Sequence, residues 1–429
     1  MIDKLMPKPV ATPKLLQFLS TLGMVLMLFC GGLQAAETTT FQVREKAEMV
    51  AEIEMLSPGA DWSQPGREAA LADVKLDGAK TINVMTYAGS KAHRYHVLLG
   101  ELNAGSHTLA ITRNGKFSAP GAGLEVRGVT VQKAADQDLA AKTPFLYARK
   151  NTIGKFTDIP LTVYAERLME NGTPILQYTV IFSNEDGGTS TRGLMARWGR
   201  TTDVEYVYRA FPDHATFQAR GHKDVIYDGP REGLHPLLMP VTDNNMVAGE
   251  GPSEIRYQIP AVVADLTKAS REQVMDEYPI TWQVMAKELI REQKLRPFGV
   301  VDGEKISDPR NYLYIEANVN VAGGRIAAMA RLKGDARWRM ANIGRLSLAI
   351  ERSGWIRTTV ELPPGTRPEQ IGEIGFQCLA DMAPAKCRVD SVRQAFLLGE
   401  DYLPRASVFS TPPGSTEFAA GEVVTWILK

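Results

Sequence analysis

The chain lacks any excess of charge of one sign. Its 429 residues carry 49 Lys and Arg against 49 Asp and Glu, so the formal net charge at neutral pH is zero. A protein dedicated to nucleic acid needs surplus basic side chains to neutralise phosphates, so we expect no nucleic-acid partner. Hydrophobic residues make up 44% and charged residues 23%, which is typical of a folded globular protein and disfavours disorder, collagen and coiled coil.

The common sequence signatures of several enzyme classes are also missing. The chain contains no GxSxG elbow, no P-loop and no GxGxxG that opens a helix. Serine hydrolase, nucleotide hydrolase and dinucleotide-dependent oxidoreductase are therefore disfavoured.

Long apolar runs are absent except at the start of the chain. Three lysines within the first 14 residues precede the apolar run 15–33, and the small residues Ala35 and Ala36 follow it. This order predicts a signal peptide over residues 1–36 that is cleaved near Ala35 or Ala36. The alternative is an uncleaved membrane anchor. We expect cleavage, no stable membrane anchor afterwards, and a periplasmic or extracellular location.

Cysteine is scarce, with three residues in the chain. Removal of the signal leaves Cys378 and Cys387, and an oxidising compartment favours a disulfide between them. The enclosed segment 379–386 contains Pro384 and is expected to be a hairpin-like loop. Its closure contributes about 2–3 kcal/mol by the loop-entropy estimate. A metal pair is the alternative, but it lacks nearby Cys or His partners.

The remaining pattern predicts a mainly β, multi-domain protein in which β-sandwiches flank a central β-rich domain with a helical connector. Alternating apolar and polar residues predict strands throughout the two ends, including 345–350, and Pro279 is expected to divide two connector helices. An Ala/Asp/Gln/Lys-rich stretch, 134–142, is expected to be a linker. The predicted divisions are a sandwich over 37–135, a central domain with the candidate active site over 143–265, a connector over 266–296, and a second sandwich over 297–429.

Both end regions resemble known carbohydrate-binding folds. The stretches Val97–Leu109 and Val126–Val131 resemble a turn and a closing strand of jelly-roll carbohydrate-binding modules. The stretches Gly354–Gly365 and Arg388–Arg393 resemble late strands of galactose-binding-like jelly rolls. The resemblance implies jelly-roll sandwiches and a polysaccharide or glycoconjugate as partner. The central region resembles no family that we can assign.

The central region concentrates acidic side chains at a strand end and along a strand. An apolar strand is followed by Asn184, Glu185 and Asp186 and then by two glycines, which permit close approach of a ligand. In the next strand, Asp203 and Glu205 share one face about 7 Å apart, so each raises the pKa of the other unless a cation offsets it. The alternatives are a solvated acidic turn and an ordinary strand with a wet face.

Two histidines and an Asp/Asn turn complete the polar set. His222 and His235 each lie beside Gly or Pro at a loop–strand junction, where functional groups concentrate, although their spacing matches no zinc motif. Asp243, Asn244 and Asn245 offer oxygen ligands, so Ca²⁺ is a weak candidate, although a plain turn is the simpler expectation. We expect that no cofactor is required.

These features predict an exported carbohydrate-active protein that hydrolyses or otherwise cleaves a polysaccharide as a glycoside hydrolase or polysaccharide lyase. Glu205 is the predicted proton donor, and Asp203 or Asp186 is its ionised partner. The remaining predicted catalytic residues are Glu185, His222 and His235, and the predicted substrate-binding residues are Asn184, Arg197, Trp198, Arg200 and Tyr206. The alternative is a non-catalytic cell-envelope or extracellular glycan-binding protein.

Overall fold

The computed structural model describes residues 37–249, 251–301, 304–380, 384–409 and 414–428. The predicted signal peptide, 1–36, lies outside the described residues. As predicted, the described chain is mainly β, with six sheets and a few short helices. None of the helices in these ranges has the length and apolarity needed to cross a lipid bilayer.

Seven strands at the start of the described chain form two antiparallel sheets, in the orders β1-β6-β3-β4 and β5-β2-β7. Side chains alternate between core and solvent, so that Tyr95 and Val97 are buried whereas His96 between them is exposed. Apolar residues of both sheets, among them Ile53 and Val74, share one core. The strands are β1 (Glu37–Val43), β2 (Ala47–Leu56), β3 (Leu71–Leu76), β4 (Lys80–Met85), β5 (His93–Leu102), β6 (Gly105–Arg113) and β7 (Glu125–Lys133).

The stretch expected to be a linker instead contains helix α1, Gln137–Lys142. Asp136 caps it by accepting a hydrogen bond from the backbone N–H of Leu139 at 3.0 Å. Leu139 and Ala140 are buried. The polar composition concealed the two apolar residues that hold this turn against the fold.

The central region contains a six-stranded sheet of order β13-β12-β11-β10-β9-β18 and a smaller mixed sheet of order β14-β15-β8-β17, with β16 paired to β15. Asn171 and Gly172 connect β9 to β10 with φ values of 50° and 81°, the two-residue turn that suits a twisted hairpin. The strands are β8 (Phe145–Tyr147), β9 (Pro160–Glu170), β10 (Thr173–Phe182), β11 (Asp203–Ala210), β12 (Ala215–Ala219), β13 (Lys223–Ile226), β14 (Arg231–Glu232), β15 (His235–Pro240), β16 (Val247–Ala248), β17 (Arg256–Tyr257) and β18 (Val262–Val263).

Three further helices pack beside the six-stranded sheet: α2 (Thr191–Trp198), α3 (Gln273–Glu277) and α4 (Ile280–Arg291). As predicted, Pro279 separates α3 from α4. Helix α2 begins after Ser190, whose Oγ accepts from the Gly193 N–H, and ends at Gly199 in the left-handed conformation. Its last turn is also fixed from outside, because the Thr358 and Thr359 hydroxyls donate to the carbonyl oxygens of Ala196 and Met195 at 2.6 and 2.8 Å.

The last eight strands form two sheets, in the orders β22-β19-β24-β25 and β21-β20-β23-β26, around a shared core. They are β19 (Tyr312–Ala322), β20 (Gly324–Leu332), β21 (Arg339–Met340), β22 (Gly354–Glu361), β23 (Ile371–Ala380), β24 (Lys386–Phe396), β25 (Thr416–Ala419) and β26 (Val423–Ile427). The strand predicted over 345–350 is wrong. The Arg345 N–H bonds the Asn342 carbonyl, so the chain turns into a 3₁₀ helix at Leu346–Leu348.

The predicted disulfide joins Cys378 to Cys387, whose Cα atoms lie 5.6 Å apart. The expected hairpin between them is wrong. Cys378 belongs to β23 and Cys387 to β24, and these strands lie in different sheets. The disulfide therefore links the two layers of the C-terminal sandwich.

Candidate active site

A cavity of about 350 Å³ opens beside the six-stranded sheet, and we call it the central cavity. It lies between the start of β11, the loop after β10, helix α2 and the segment that precedes α3. Thirteen residues line it: Glu185, Gly188, Thr189, Leu194, Arg197, Trp198, Arg200, Glu205, Tyr206, Gln218, His222, Asn244 and Arg271. Eight of them were predicted from the sequence as site residues or weak metal ligands: Glu185, Arg197, Trp198, Arg200, Glu205, Tyr206, His222 and Asn244.

The glycines after β10 allow the loop to fold tightly against the cavity. Gly188 has φ of 89°, and a Cβ there would lie 3.1 Å from Oε1 of Glu185 and 3.4 Å from Cβ of Asn244. A larger residue at this position would strain the backbone and crowd Glu185 and Asn244, so glycine favours the conformation that brings Glu185 to the cavity wall. Oε1 of Glu185 accepts a hydrogen bond from the Thr189 N–H at 2.9 Å, which fixes the carboxyl group.

Glu205 projects from β11 into the cavity with 14% of its side chain exposed. Burial raises its pKa to about 7, and Glu185 adds to this effect, whereas Arg271 and Arg200 oppose it. The side-chain amide nitrogen of Gln218 is oriented toward β11, where it donates a hydrogen bond to Oε2 of Glu205 at 3.0 Å. The carboxyl group is thus held in place and poised to exchange a proton near neutral pH.

Glu185 has a similar electrostatic environment. Burial raises its pKa to about 7 and Asp203 contributes in the same direction, whereas Arg200 and the Thr189 N–H favour the ionised form. Because Glu185 and Glu205 line the same cavity and repel one another when both are charged, one of them can keep its proton while the other is ionised.

Asp203 lies behind Glu205 and is fully buried. Burial raises its pKa to about 8, the Glu205 charge adds to the shift, and Arg200 and Asn245 oppose it. Asn245 donates to its Oδ2 at 3.0 Å. Asp203 is not among the residues that line the cavity, and its predicted role as the ionised partner stays a prediction.

Arginines form much of the opposite wall. Nε of Arg200 lies 3.1 Å from Oε1 of Glu272, and Nη1 of Arg271 donates to the Val204 carbonyl at 2.7 Å. Burial opposes ionisation of Glu272, but Arg200 and Arg271 hold its pKa below the usual range. Glu272 is therefore a charged, buried counter-ion that pairs with Arg200 and whose charge also acts on Arg271.

Trp198 contacts two further arginines. The guanidinium carbons of Arg197 and Arg352 lie 4.4 and 5.0 Å from the indole centroid. Burial lowers the pKa of Arg352 to about 10, and Arg271, Arg200 and Arg197 contribute to this shift. Arg197 reaches Glu351 only at 3.6 Å.

Three further predicted residues also lie away from the cavity, so the predicted site residues do not all meet in one cleft. Asp186 accepts from the Thr157 hydroxyl at 3.1 Å and lies near Arg149. Asn184 is buried beside them, where its Oδ1 accepts from the Asp158 N–H. His235 stacks on Phe145 with centroids 3.9 Å apart, and its Nε2 lies 3.3 Å from Glu48. Long-range partners from before β9 draw these side chains elsewhere.

The predicted calcium ligands turn in different directions. Asp243 pairs with Arg149 at 2.9 Å, Asn244 accepts from Thr242, and Asn245 donates to Asp203. Within the described ranges, no three His, Cys, Asp or Glu side chains are arranged to hold a metal ion. The expectation that no cofactor is required, with Ca²⁺ as a weak candidate at this turn, stays a prediction.

Sequence reasoning missed Arg271 and Gln218. Gln218 lies on β12, which pairs with β11, and strand alternation could have placed it beside Glu205. Arg271 arrives from a segment far along the chain, beside Glu272, and no local pattern distinguishes it from other charged residues ahead of a helix.

A larger cavity of about 780 Å³ lies between β4, β5, the start of β9 and the turn that joins α3 to α4. Its walls are mainly apolar, with Tyr87, Tyr95 and Tyr257 among them. Burial lowers the pKa of His93, in this wall, to about 4, so the imidazole is neutral. We favour the smaller central cavity as the candidate active site because it alone of the two holds a pair of carboxyl groups poised near neutral pH.

No protein-family model matches this chain, and no curated protein sequence matches it. Among solved structures, part of the chain is similar to a ruminal GH26 endo-β-1,4-mannanase with 13% identity and a TM-score of 0.18. The match covers 32% of this chain and 28% of the mannanase, so it spans less than a third of that protein. A likeness of this size carries no argument about fold or activity.

Proposed function

We propose that this protein cleaves a glycosidic bond of a carbohydrate polymer by carboxyl acid/base chemistry in the central cavity. The observation that supports this most directly is the pair Glu185 and Glu205, which line one cavity with pKa values both raised to about 7. Cleavage of a glycosidic bond needs one carboxyl group that keeps its proton and a second that is ionised.

Glu205 is the proton donor in this proposal. Its side chain is the more deeply buried of the two, and burial favours the protonated form. The Gln218 amide fixes one of its oxygens. A group held in this way can deliver its proton to the oxygen of the departing sugar without first reorienting.

Glu185 is the ionised partner, in place of the Asp203 or Asp186 expected from sequence. The Thr189 N–H and the charge of Arg200 both favour its carboxylate form. A carboxylate beside the scissile bond stabilises positive charge on the sugar ring or activates the attacking group.

Arg200 acts as a positioning residue. Its guanidinium group is committed to Glu272 and to the Thr202 carbonyl, so it sets the charge around both acids rather than gripping substrate.

Export completes the proposal. The disulfide between Cys378 and Cys387 forms readily in an oxidising compartment, and the predicted signal peptide would direct the chain to the periplasm or the extracellular space. Mass spectrometry of the exported protein tests this, with a mature terminus expected near Ala36 or Glu37. A terminus at Met1 would contradict it.

The test of activity is incubation of the purified mature protein with a panel of polysaccharides, with reducing-end release as the readout. Glu205→Gln should lower turnover by about 100-fold or more, the usual contribution of a general acid. Glu166→Gln is the matched control, because Glu166 is a partly buried acid of the same sheet whose pKa burial also raises, but it lies outside the cavity. No release from any polymer, or an unchanged rate in Glu205→Gln, would contradict the proposal; binding without release would favour the glycan-binding alternative.

A further inference from the structure

We infer that the central cavity takes an acidic sugar, whose carboxylate is bound by Arg197 at the end of α2. The carbohydrate nature of the ligand rests on the proposed function. The negative charge of the ligand is inferred from the arrangement of the arginines.

Positive charge is concentrated at one side of the cavity. Arg197, Arg200 and Arg271 line it, and Arg352 lies behind Trp198. Glu272 is the buried carboxylate that Arg200 contacts, and it also lies close to Arg271 and Arg352. One buried anion shared among several guanidinium groups leaves a local excess of positive charge, which an entering anion would offset.

Arg197 is the arginine with binding capacity to spare. Arg200 is occupied by Glu272 and a backbone carbonyl, and Arg271 donates to the Val204 carbonyl. Nε of Arg197 is buried and has no hydrogen-bond partner among the described residues. Its nearest acid, Glu351, lies 3.6 Å away, half-exposed, and also pairs with Arg325 at 2.7 Å.

The geometry around Arg197 suits a planar anion. Stacking on Trp198 holds the guanidinium plane in place, and a fixed guanidinium fork matches the two oxygens of a carboxylate. Glu205, the proposed proton donor, carries no charge that opposes this ligand, since burial favours its protonated form, and Arg200 offsets the charge of the ionised Glu185. A uronate residue supplies the sugar ring and the carboxylate together.

The test is calorimetric binding to the Glu205→Gln protein, which removes any dependence on turnover. The probes are oligogalacturonate and oligoglucuronate, each compared with its methyl ester, which keeps the rings and removes the charge. The acid form should bind roughly 10- to 100-fold more tightly than the ester, as expected for a hydrogen-bonded charged pair. The preference should weaken as salt is raised.

Adding Arg197→Gln should remove this preference while leaving ester binding unchanged, and Arg197→Lys should restore part of it. Arg331→Gln is the matched control, because Arg331 also stacks on a tryptophan, Trp338, and pairs with a glutamate outside the cavity. The control should keep the full preference.

Equal binding of acid and ester, a preference that survives Arg197→Gln in a folded protein, or binding of sulfated sugars alone would overturn the inference. Cleavage of neutral polymers by the unmodified protein, without an acidic preference, would overturn the inference and leave the proposed function standing. Uronate binding without cleavage by the unmodified protein would contradict the proposed function and leave the inference about the acidic ligand standing.

Discussion

Nδ1 of His222 lies 4.0 Å from Oε2 of Glu205 across the mouth of the central cavity. This separation is too long for a hydrogen bond but short enough for charge to be felt. His222 reaches this place from the tight turn between β12 and β13, where its φ is 57°, and 56% of its side chain is exposed. The imidazole therefore lies above the carboxyl group without fixing it.

His222→Ala should consequently lower turnover by less than about tenfold, well below the contribution expected of a general acid or base. The melting temperature of the His222→Ala protein should match that of the unmodified protein, because the substitution removes only an exposed side chain in a loop. Initial rates on the polymer identified in the panel provide the measurement. A loss as large as that of Glu205→Gln would instead make His222 a catalytic residue.

The activity should depend on pH as a bell with its maximum near neutrality, because Glu205 must be protonated and Glu185 ionised. In Glu185→Gln the neighbouring negative charge disappears. Since that charge raises the pKa of Glu205, the remaining titration of Glu205 should move to lower pH. Nuclear magnetic resonance of the Glu205 side-chain carbon in both proteins checks the direction, and a shift to higher pH would show that the two carboxyl groups do not interact as described.

Asp203 should make the folded protein less stable as pH rises. Its pKa is raised to about 8 in the folded state, compared with about 3.9 in an unfolded chain. Between these two pKa values the folded state keeps a proton that the unfolded state has lost, so the free energy of unfolding falls as the pH rises. The decrease is at most about 1.4 kcal/mol for each pH unit within this range. Asp203→Asn should remove this part of the slope between pH 5 and pH 8, as roughly bracketed by those pKa values.

Urea denaturation at the two pH values, with and without the substitution, measures this slope. Asp335→Asn is the control, since Asp335 is partly exposed and its pKa is lowered by the Arg337 N–H and by Arg339. The stability that it contributes is therefore lost only at a lower pH than this range. An Asp203→Asn protein with the same slope as the unmodified protein would mean that Asp203 is already ionised in the fold.

Arg357 should be one of the most sensitive positions for folding. It is fully buried, and its Nη2 lies 2.7 Å from Asp276 on α3 and 2.9 Å from Glu316 on β19. Arg357→Met removes the buried cation that Asp276 and Glu316 share and leaves Glu316 with only the partly exposed Arg393 as counter-ion, so the free energy of unfolding should fall by about 3–5 kcal/mol. Arg367→Met, at an exposed ion pair with Glu369, should change it by less than about 1 kcal/mol. Equal effects in chemical denaturation would contradict the assigned burial of the Arg357 network.

Reduction of the disulfide should lower the free energy of unfolding by about 2–3 kcal/mol, the loop-closure contribution for so short a segment. The double variant Cys378→Ser/Cys387→Ser should behave like the reduced protein. Thermal melts with and without a reducing agent give the measurement. Alkylation of both thiols in unreduced protein would show that the bond is absent.

Local sequence pattern was sufficient for the strands of the site. Alternation in β11 correctly places Asp203 and Glu205 on one side, because neighbouring β residues must face opposite ways. Strand alternation does not show how deeply each of these two side chains is buried. Asp203 is fully buried and bonded by Asn245 from elsewhere in the chain, whereas Glu205 two residues later lines the cavity.

Other parts of the site depend on partners that a linear pattern does not reveal. Asp186 follows Glu185 directly and looked equally suited to chemistry, but Arg149 draws it to the other side of the loop. His235 lies beside a proline at a strand start, as predicted, yet Phe145 of the neighbouring strand covers its ring. Helix α2 was missed because eight residues of helix between polar loops give little periodic signal.

The threonine hydroxyls that terminate α2 have a consequence for how this protein could change over time. Arg197 and Trp198 stand on a helix turn whose carbonyls are held by Thr358 and Thr359 of a strand more than a hundred positions later. The cavity wall and the C-terminal sandwich are therefore connected directly by hydrogen bonds. Recombination that exchanged the final sandwich for an unrelated one would remove the hydrogen bonds that fix the last turn of α2. New specificities should therefore arise here by substitution of residues in the cavity wall rather than by exchange of whole domains.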